Sequence, residues 1–190
     1  MTQTRRRCCR TWFTALALLL SLVAGLPVAA ENTTRFDGTV LFMRHALAPG
    51  IGDPHDFSIK DCRTQRNLDE TGRAQARALG GKLAAADIKF SAIYSSYWCR
   101  CLETAKLLDL GNVIPFDGLN SFFQNHAPRD ATLAKLRQKL ESLSPSAPAS
   151  LMVTHAVIIR AITGLSVASG GVVIYDLKTG TSQELSLSSL

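Results

Sequence analysis

Two short apolar runs in this 190-residue chain end in the same way. The stretch GTVLFMRH, from Gly38, closes on Met43, Arg44 and His45, and ASLMVTH closes on Val153, Thr154 and His155. Both runs have the β-branched and apolar make-up of buried parallel strands, and in parallel sheets the reactive groups gather just past the carboxyl ends of the strands. With both strands central, the two histidines share one edge of the sheet. A neutral imidazole nitrogen is nucleophilic near pH 7, provided that a hydrogen bond at the other ring nitrogen fixes the tautomer. A guanidinium beside it offers a planar fork of donors to the oxygens of a transferred phosphoryl group, a geometry that the point charge of a lysine lacks. One histidine at a strand end is more often structural than reactive. Arg44 joined to His45, and matched by a second strand-end histidine, is what points to chemistry.

The elements that must hold these residues alternate along the chain. Residues 46–66 contain Pro49, Gly50, Gly52 and Pro54 without periodicity and read as a long loop, a kind that usually forms lids or binding segments. Asp69 is placed to cap a helix running through Lys82 or a little beyond, with Ala76, Leu79, Leu83 and Ala86 as its buried stripe and Gly80 and Gly81 as weak points. SAIYSS reads as a strand and turn; Trp98, Cys101, Leu102, Ala105 and Leu108 then mark one face of a second helix, with Arg100 off that face. NVIPF is a short strand. After an irregular stretch, Leu133, Leu136, Leu140 and Leu143 mark a third helix with Asp130 as its candidate cap. SPSAPAS is a linker, AVIIRAITG a short helix closed by Gly164, and GVVIYDL with QELSL a terminal hairpin. This alternation predicts an α/β three-layer sandwich, a mainly parallel central sheet with helices on both faces.

Composition narrows the function classes. At 46% hydrophobic and 19% charged, the chain can bury the core of one domain and is not a disordered or fibrous sequence. The net charge of +6 is mostly local: Arg5, Arg6, Arg7 and Arg10 precede the apolar run from Trp12 to Leu26, small residues stand at Val28 and Ala30, and no acid occurs before Glu31. These are the three parts of a secretory signal peptide, with cleavage expected after Ala30, a domain at 31–190, and a periplasmic or secreted product. The apolar run of about 15 residues is shorter than the roughly 20 that a spanning helix needs, so no stable membrane span is expected after cleavage. Taking four of the 21 basic residues away leaves 17 against 15 acidic ones, and with them goes the case for nucleic acid as a partner. Cys62, Cys99 and Cys101 remain; Cys99 and Cys101 point to different faces of a helix, so the expected bridge joins Cys62 to one or the other. No histidine or cysteine spacing matches a metal site, and no metal or cofactor is expected.

Four segments in order resemble the histidine phosphatase superfamily, the phosphoglycerate-mutase-like fold. MRHALAPG resembles its Arg-His-Gly signature with Ala46 in place of the glycine; RNLDETGRAQA resembles its first-helix segment, SSYWCRCLETA its Ser-x-x-x-Arg-x-x-x-Thr-Ala segment, and VTHAVIIRAITG the segment of its second histidine. The short length and the expected export look most like the small periplasmic members. The resemblance implies a metal-independent phosphomonoester hydrolase that works through a phosphohistidine at His45. Arg44, Arg100 and a protonated His155 would hold the three equatorial oxygens. It further implies a supporting phosphate contact from the long loop or from Arg66. Trp98 reads as packing, and His55 and His126 as solvated loop residues.

One departure bears on mechanism. Family members acting on alkyl phosphates supply a glutamate after the third strand, where this chain reads GLNSFF, so that Asn120 or Ser121 stands in the place of the acid. By residue type and rough region alone, Asp53, Asp56, His126 and Asp130 are alternative proton donors. Otherwise the leaving group departs unassisted, as from phosphohistidine, an acyl phosphate or an aryl phosphate. The expected substrate is a phosphorylated small molecule or envelope glycan, for example a sugar phosphate. The alternatives are a phosphohistidine protein phosphatase and a non-catalytic module that binds a phosphorylated ligand.

Overall fold

Strand β1 (Thr39–Arg44) is apolar from Val40 to Met43, where both of its faces are covered. Leu41 and Met43 point into one core and Val40 and Phe42 into another, and β4 (Ala149–Thr154) divides its side chains in the same way. This is a computed structural model describing residues 1–2 and 36–187; the expected signal peptide and its cleavage point after Ala30 lie outside the described residues. Met1–Asn32 and Thr33–Leu190 are separate units, and all that follows concerns the second.

The remaining strands are β2 (Phe90–Ser95), β3 (Val113–Pro115), β5 (Val172–Asp176) and β6 (Ser182–Leu185). They form one six-stranded sheet in the order β3-β2-β4-β1-β5-β6. The pairings β3/β2, β2/β4 and β4/β1 are parallel, and the terminal hairpin β5/β6 adds antiparallel to β1. Helices α1 (Glu70–Ala85) and α2 (Cys99–Leu107) cover one face through Leu83, Trp98, Cys101 and Ala105. On the other face, α3 (Arg129–Ser142) and α4 (Ala156–Thr163) bring in Leu133, Leu136, Ile158 and Ile159. Each such side chain, fully withdrawn from water, stabilises the fold by about 1.5–3 kcal/mol. The expected α/β architecture, with helices on both faces of a mainly parallel sheet, is the one observed. Among the described residues no helix is long and apolar enough to cross a membrane.

Two local expectations are corrected. Asp69 caps α1, its carboxylate accepting from Gly72 N at 2.7 Å, but Gly80 is a packing device and not a weak point. A Cβ there would lie 2.0 Å from the Leu108 carbonyl oxygen, so only glycine lets α1 approach the end of α2 this closely. Asp130 does not cap α3. The helix starts two residues earlier, with Pro128 at the cap position and Thr132 N donating to its carbonyl at 3.0 Å. Asp130 stays in the first turn, where a carboxylate favours the helix dipole.

Candidate active site

Register brings the two histidines together. In the parallel β1/β4 pair Arg44 stands opposite Thr154, so the next residues, His45 and His155, leave the sheet side by side. His45 N donates to Thr154 O at 2.9 Å, and the two imidazoles sit edge to face with centroids 5.6 Å apart.

His45 is 2% exposed, and its Nδ1 lies 2.7 Å from the Ala46 carbonyl oxygen. A carbonyl only accepts, so Nδ1 carries the proton and Nε2 presents its lone pair. The carbonyl is itself held in place: Ala46 N donates to Thr104 Oγ1 at 3.0 Å, and that hydroxyl donates to the Arg100 carbonyl at 2.6 Å. Burial lowers the His45 pKa to about 3; the Ala46 bond acts in the other direction, and the Arg100, Arg66 and Arg44 charges lower it further. The ring is therefore neutral at pH 7, the form that is nucleophilic.

His155 Nε2 lies 3.0 Å from Ser96 Oγ and 3.4 Å from the Cys101 sulfur. Burial, followed by the charges of Arg100, His45, Arg66 and Arg44, holds its pKa well below the ordinary histidine value. The clamp as it stands therefore has a neutral His155, where a protonated one was expected. An adjacent anion favours the charged form, so a bound oxyanion would shift His155 toward protonation.

Arg100 lies off the core stripe of α2, as expected, but is 3% exposed. Its guanidinium forks onto Asp53, Nη1 to Oδ1 at 2.7 Å and Nη2 to Oδ2 at 3.1 Å. Asp53 also accepts from Trp98 Nε1 at 3.0 Å and from Arg66 N at 3.0 Å. Burial alone would raise the Asp53 pKa, but the bonds from Arg100, Trp98 and Arg66 outweigh it and hold it below the usual carboxylate value. Arg44 donates to Val167 O at 3.0 Å; Arg66 donates to Gly52 O at 2.8 Å and to the Ala48 carbonyl. The Nε atoms of Arg44 and Arg100 are buried without a protein partner, two cationic donors whose desolvation is uncompensated.

These groups line a cavity of about 200 Å³ whose walls carry Arg44, His45, Arg66, Arg100 and His155 and no Asp or Glu. Three guanidiniums against the one carboxylate of Asp53 leave the site with a surplus positive charge, the complement of a phosphoryl dianion. The expected proton donors are not there. Asp53 is ionised and engaged in four hydrogen bonds. Asp56 and Asp130 are exposed, and neither lines the cavity. His126 is half-buried against Phe57, with ring centroids 4.1 Å apart, and is not solvated as expected; it too lies outside the lining, while His55 is exposed. Asn120 Oδ1 accepts from Tyr97 N at 2.9 Å and from Ser96 Oγ at 3.1 Å, whereas Ser121 does reach the cavity wall.

The long loop is fastened to α2. Cys62 and Cys99 form a disulfide with Cα atoms 5.7 Å apart, and Gln65 Oε1 accepts from Cys99 N at 2.9 Å. Cys101 stays free and buried, its thiol pushed up to about 12 by burial. Sequence reasoning missed Asp53 as the partner of Arg100, and Ser96 and Thr104 as the supports of His155 and Ala46. The four-residue spacing of Ser96, Arg100 and Thr104 was a signal for the last two; nothing in the sequence pairs Asp53 with Arg100. Among the described residues there is no group of three or more His, Cys, Asp or Glu that could hold a metal ion.

Fold and site together define the class, a phosphatase-type hydrolase. Residues 40–122 match the sequence model described as histidine phosphatase superfamily (branch 1). The product of open reading frame Rv3214 of Mycobacterium tuberculosis has a similar solved structure, with a TM-score of 0.57 and 17% identity over 78% of this chain and 95% of that one. So have a protein histidine phosphatase SixA complexed with tungstate, at 0.52 and 14% over 78% and 94%, and a mycobacterial glucosyl-3-phosphoglycerate phosphatase, Rv2419c, at 0.53 and 15% over 77% and 96%. No curated protein sequence matches the chain. That match and the shared fold support the histidine phosphatase superfamily for the chain.

Proposed function

We propose that this protein is an exported phosphatase working through a phosphohistidine on His45. The observation that carries the reading is the Nδ1 contact to Ala46 O at 2.7 Å, which directs the lone pair of a neutral ring from Nε2. In the first step Nε2 attacks phosphorus, the bond to the leaving oxygen or nitrogen breaks, and its electron pair goes with the leaving group. Arg44, Arg100 and Arg66 hold the equatorial oxygens, and the Ala46 carbonyl supports the imidazolium character that develops on the ring. Water then attacks phosphorus, the N–P bond breaks, phosphate leaves and neutral His45 returns; the proton that water gives up balances the one the departed group takes from solvent.

The lining carries no carboxylic acid, so the favoured substrates are those whose leaving group needs no proton in the transition state. This weakens the case for a sugar phosphate or an envelope glycan phosphate, which loses an alkoxide, and strengthens that for phosphohistidine, acyl phosphates and aryl phosphates. A pure binding module has no use for the fixed tautomer of His45. Export is supported by the basic and apolar N-terminal run and by the Cys62–Cys99 disulfide, a bond that persists in oxidising compartments. N-terminal sequencing of the protein recovered from outside the cytoplasm is expected to start at Glu31; a product retained in the cytoplasm with Met1 intact overturns the export reading.

The catalytic test is phosphate release from p-nitrophenyl phosphate in excess EDTA by wild type and His45→Ala. Turnover that survives EDTA, an acid-labile phosphoenzyme in wild type and the loss of both in the variant are expected, with tungstate as a competitive inhibitor. No turnover by folded wild type, or undiminished turnover in the variant, overturns the reading.

A further inference from the structure

The cavity lining combines two chemistries, cationic and apolar. Besides the guanidiniums and the two histidines, its walls carry Ile51, Phe123, Ala156 and Val157, with Ser121 as the one hydroxyl side chain. Ile51 is 93% exposed and Phe123 46% exposed, large apolar side chains left in water at the mouth of a charged site. A sugar would need several donors and acceptors around its hydroxyls, and a single serine does not supply them.

The two segments that carry these apolar side chains are tied together. Gln124, next to Phe123, reaches over to the loop of Ile51: Asp53 N donates to its Oε1 at 2.8 Å, and its Nε2 donates to Asp53 O at 3.4 Å. Gln124 and Asn125 both adopt left-handed backbone, with φ of 58° and 60°, a region that non-glycine residues populate sparsely. That conformation is retained in a turn whose glutamine is fastened to the backbone of the same Asp53 whose carboxylate forks onto Arg100. The clamp and its apolar mouth are thus one mechanical unit.

We infer that the substrate is an aryl phosphomonoester, a phosphorylated phenol whose ring lies between Ile51 and Phe123 while its phosphoryl group enters the guanidinium clamp. The inference rests on the phosphatase reading above and narrows it. Two independent observations converge on it. The mouth offers apolar and aromatic surface to a ring, and the absence of an acid from the lining is harmless for leaving groups that depart without a proton, a phenoxide among them. In the reaction Nε2 of His45 forms the N–P bond, the P–O(aryl) bond breaks, and the phenoxide departs with its electron pair and is protonated by water.

The experiment compares kcat/KM for phenyl phosphate, glucose 6-phosphate, an N-phosphohistidine peptide and acetyl phosphate in wild type, Ile51→Ser and Phe123→Ser. Both side chains are exposed, so neither change removes a core contact. Phenyl phosphate is expected to exceed glucose 6-phosphate by about a hundredfold, and the ratio of phenyl to acetyl phosphate is expected to fall about tenfold in each variant through KM, the scale of one lost ring contact. A phosphohistidine peptide or a sugar phosphate preferred over phenyl phosphate, or a phenyl-to-acetyl ratio unmoved in both variants, overturns the aryl assignment and leaves the phosphatase reading standing. Failure to turn over any of the four, acetyl phosphate included, overturns both.

Discussion

Asp53→Asn is the sharpest perturbation of the clamp, because it removes one charge and almost no volume. Oδ1 of Asp53 accepts from Arg100 Nη1 and Arg66 N, and Oδ2 accepts from Arg100 Nη2 and Trp98 Nε1. An asparagine keeps one oxygen and turns an amide donor toward two other donors, so two of the four bonds are lost whichever way it lies. Bonds to charged groups contribute about 1.5–3 kcal/mol each, and breaking one side of a buried ion pair costs about 3–5 kcal/mol. The pair is buried, with side-chain exposures of 4% for Arg100 and 3% for Asp53, so little solvent screening discounts these figures. A loss of about 3–5 kcal/mol is expected in urea unfolding at pH 7, followed by tryptophan fluorescence. Because Arg100 also loses its fixed orientation, KM for p-nitrophenyl phosphate is expected to rise at least about tenfold. Added phosphate is expected to raise the melting temperature of the variant by less than that of wild type at the same concentration, since a weaker clamp gains less from binding. A loss below about 1 kcal/mol together with an unchanged KM would refute the role given to Asp53.

Arg100→Lys is expected to lower kcat/KM by about a hundredfold or more, since an ammonium keeps the charge but loses the fork onto Asp53 and onto the substrate; steady-state kinetics checks it. Stability is expected to fall with acidity before any carboxylate titrates. The His45 pKa is about 3 in the fold against about 6.5 unfolded, so its contribution is complete above pH 6.5 and is lost as pH falls toward 3, about 2 kcal/mol of it between pH 7 and pH 5. His155 adds a loss of the same sign, and denaturant midpoints across this range in wild type and His45→Ala measure the difference in slope. Reducing the Cys62–Cys99 bridge opens a 37-residue connection and is expected to destabilise the protein by about 2–4 kcal/mol. The loop that carries Ile51, Asp53 and Arg66 loosens with it, and a thermal melt with and without reductant that shows no difference would count against this fastening.

Much of the molecule was legible in the residue order because the signals were local. An apolar run closed by Arg44 and His45, a second closed by Thr154 and His155, the aspartate at the start of α1 and the leucine rows of α3 each follow from backbone geometry and periodicity within one element. Arg100 came from its own segment, and its burial was not foreseen: a charged side chain off a core stripe is ordinarily solvated, and only the carboxylate across from it makes burial tolerable. Asp130 failed as a cap because any acid near a helix start satisfies the local rule, and the chain began its turn two residues earlier. His126 was read as solvated because the Phe57 ring that covers it lies 69 positions away in the sequence.

The sequence by itself determined the alternation of strands and helices, the two histidines at strand ends and the lack of a glutamate in GLNSFF. Those properties depend on neighbours in the chain, where the spacing of side chains along a helix or strand is set by the backbone. Only the tertiary structure decided that β4 lies between β1 and β2, that Arg44 faces Thr154 in register, that Asp53 is a counter-ion and not an acid, and that Ile51 and Phe123 stand at one mouth. Each of these joins residues far apart in sequence, through charge compensation and burial that exist only once the sheet has formed.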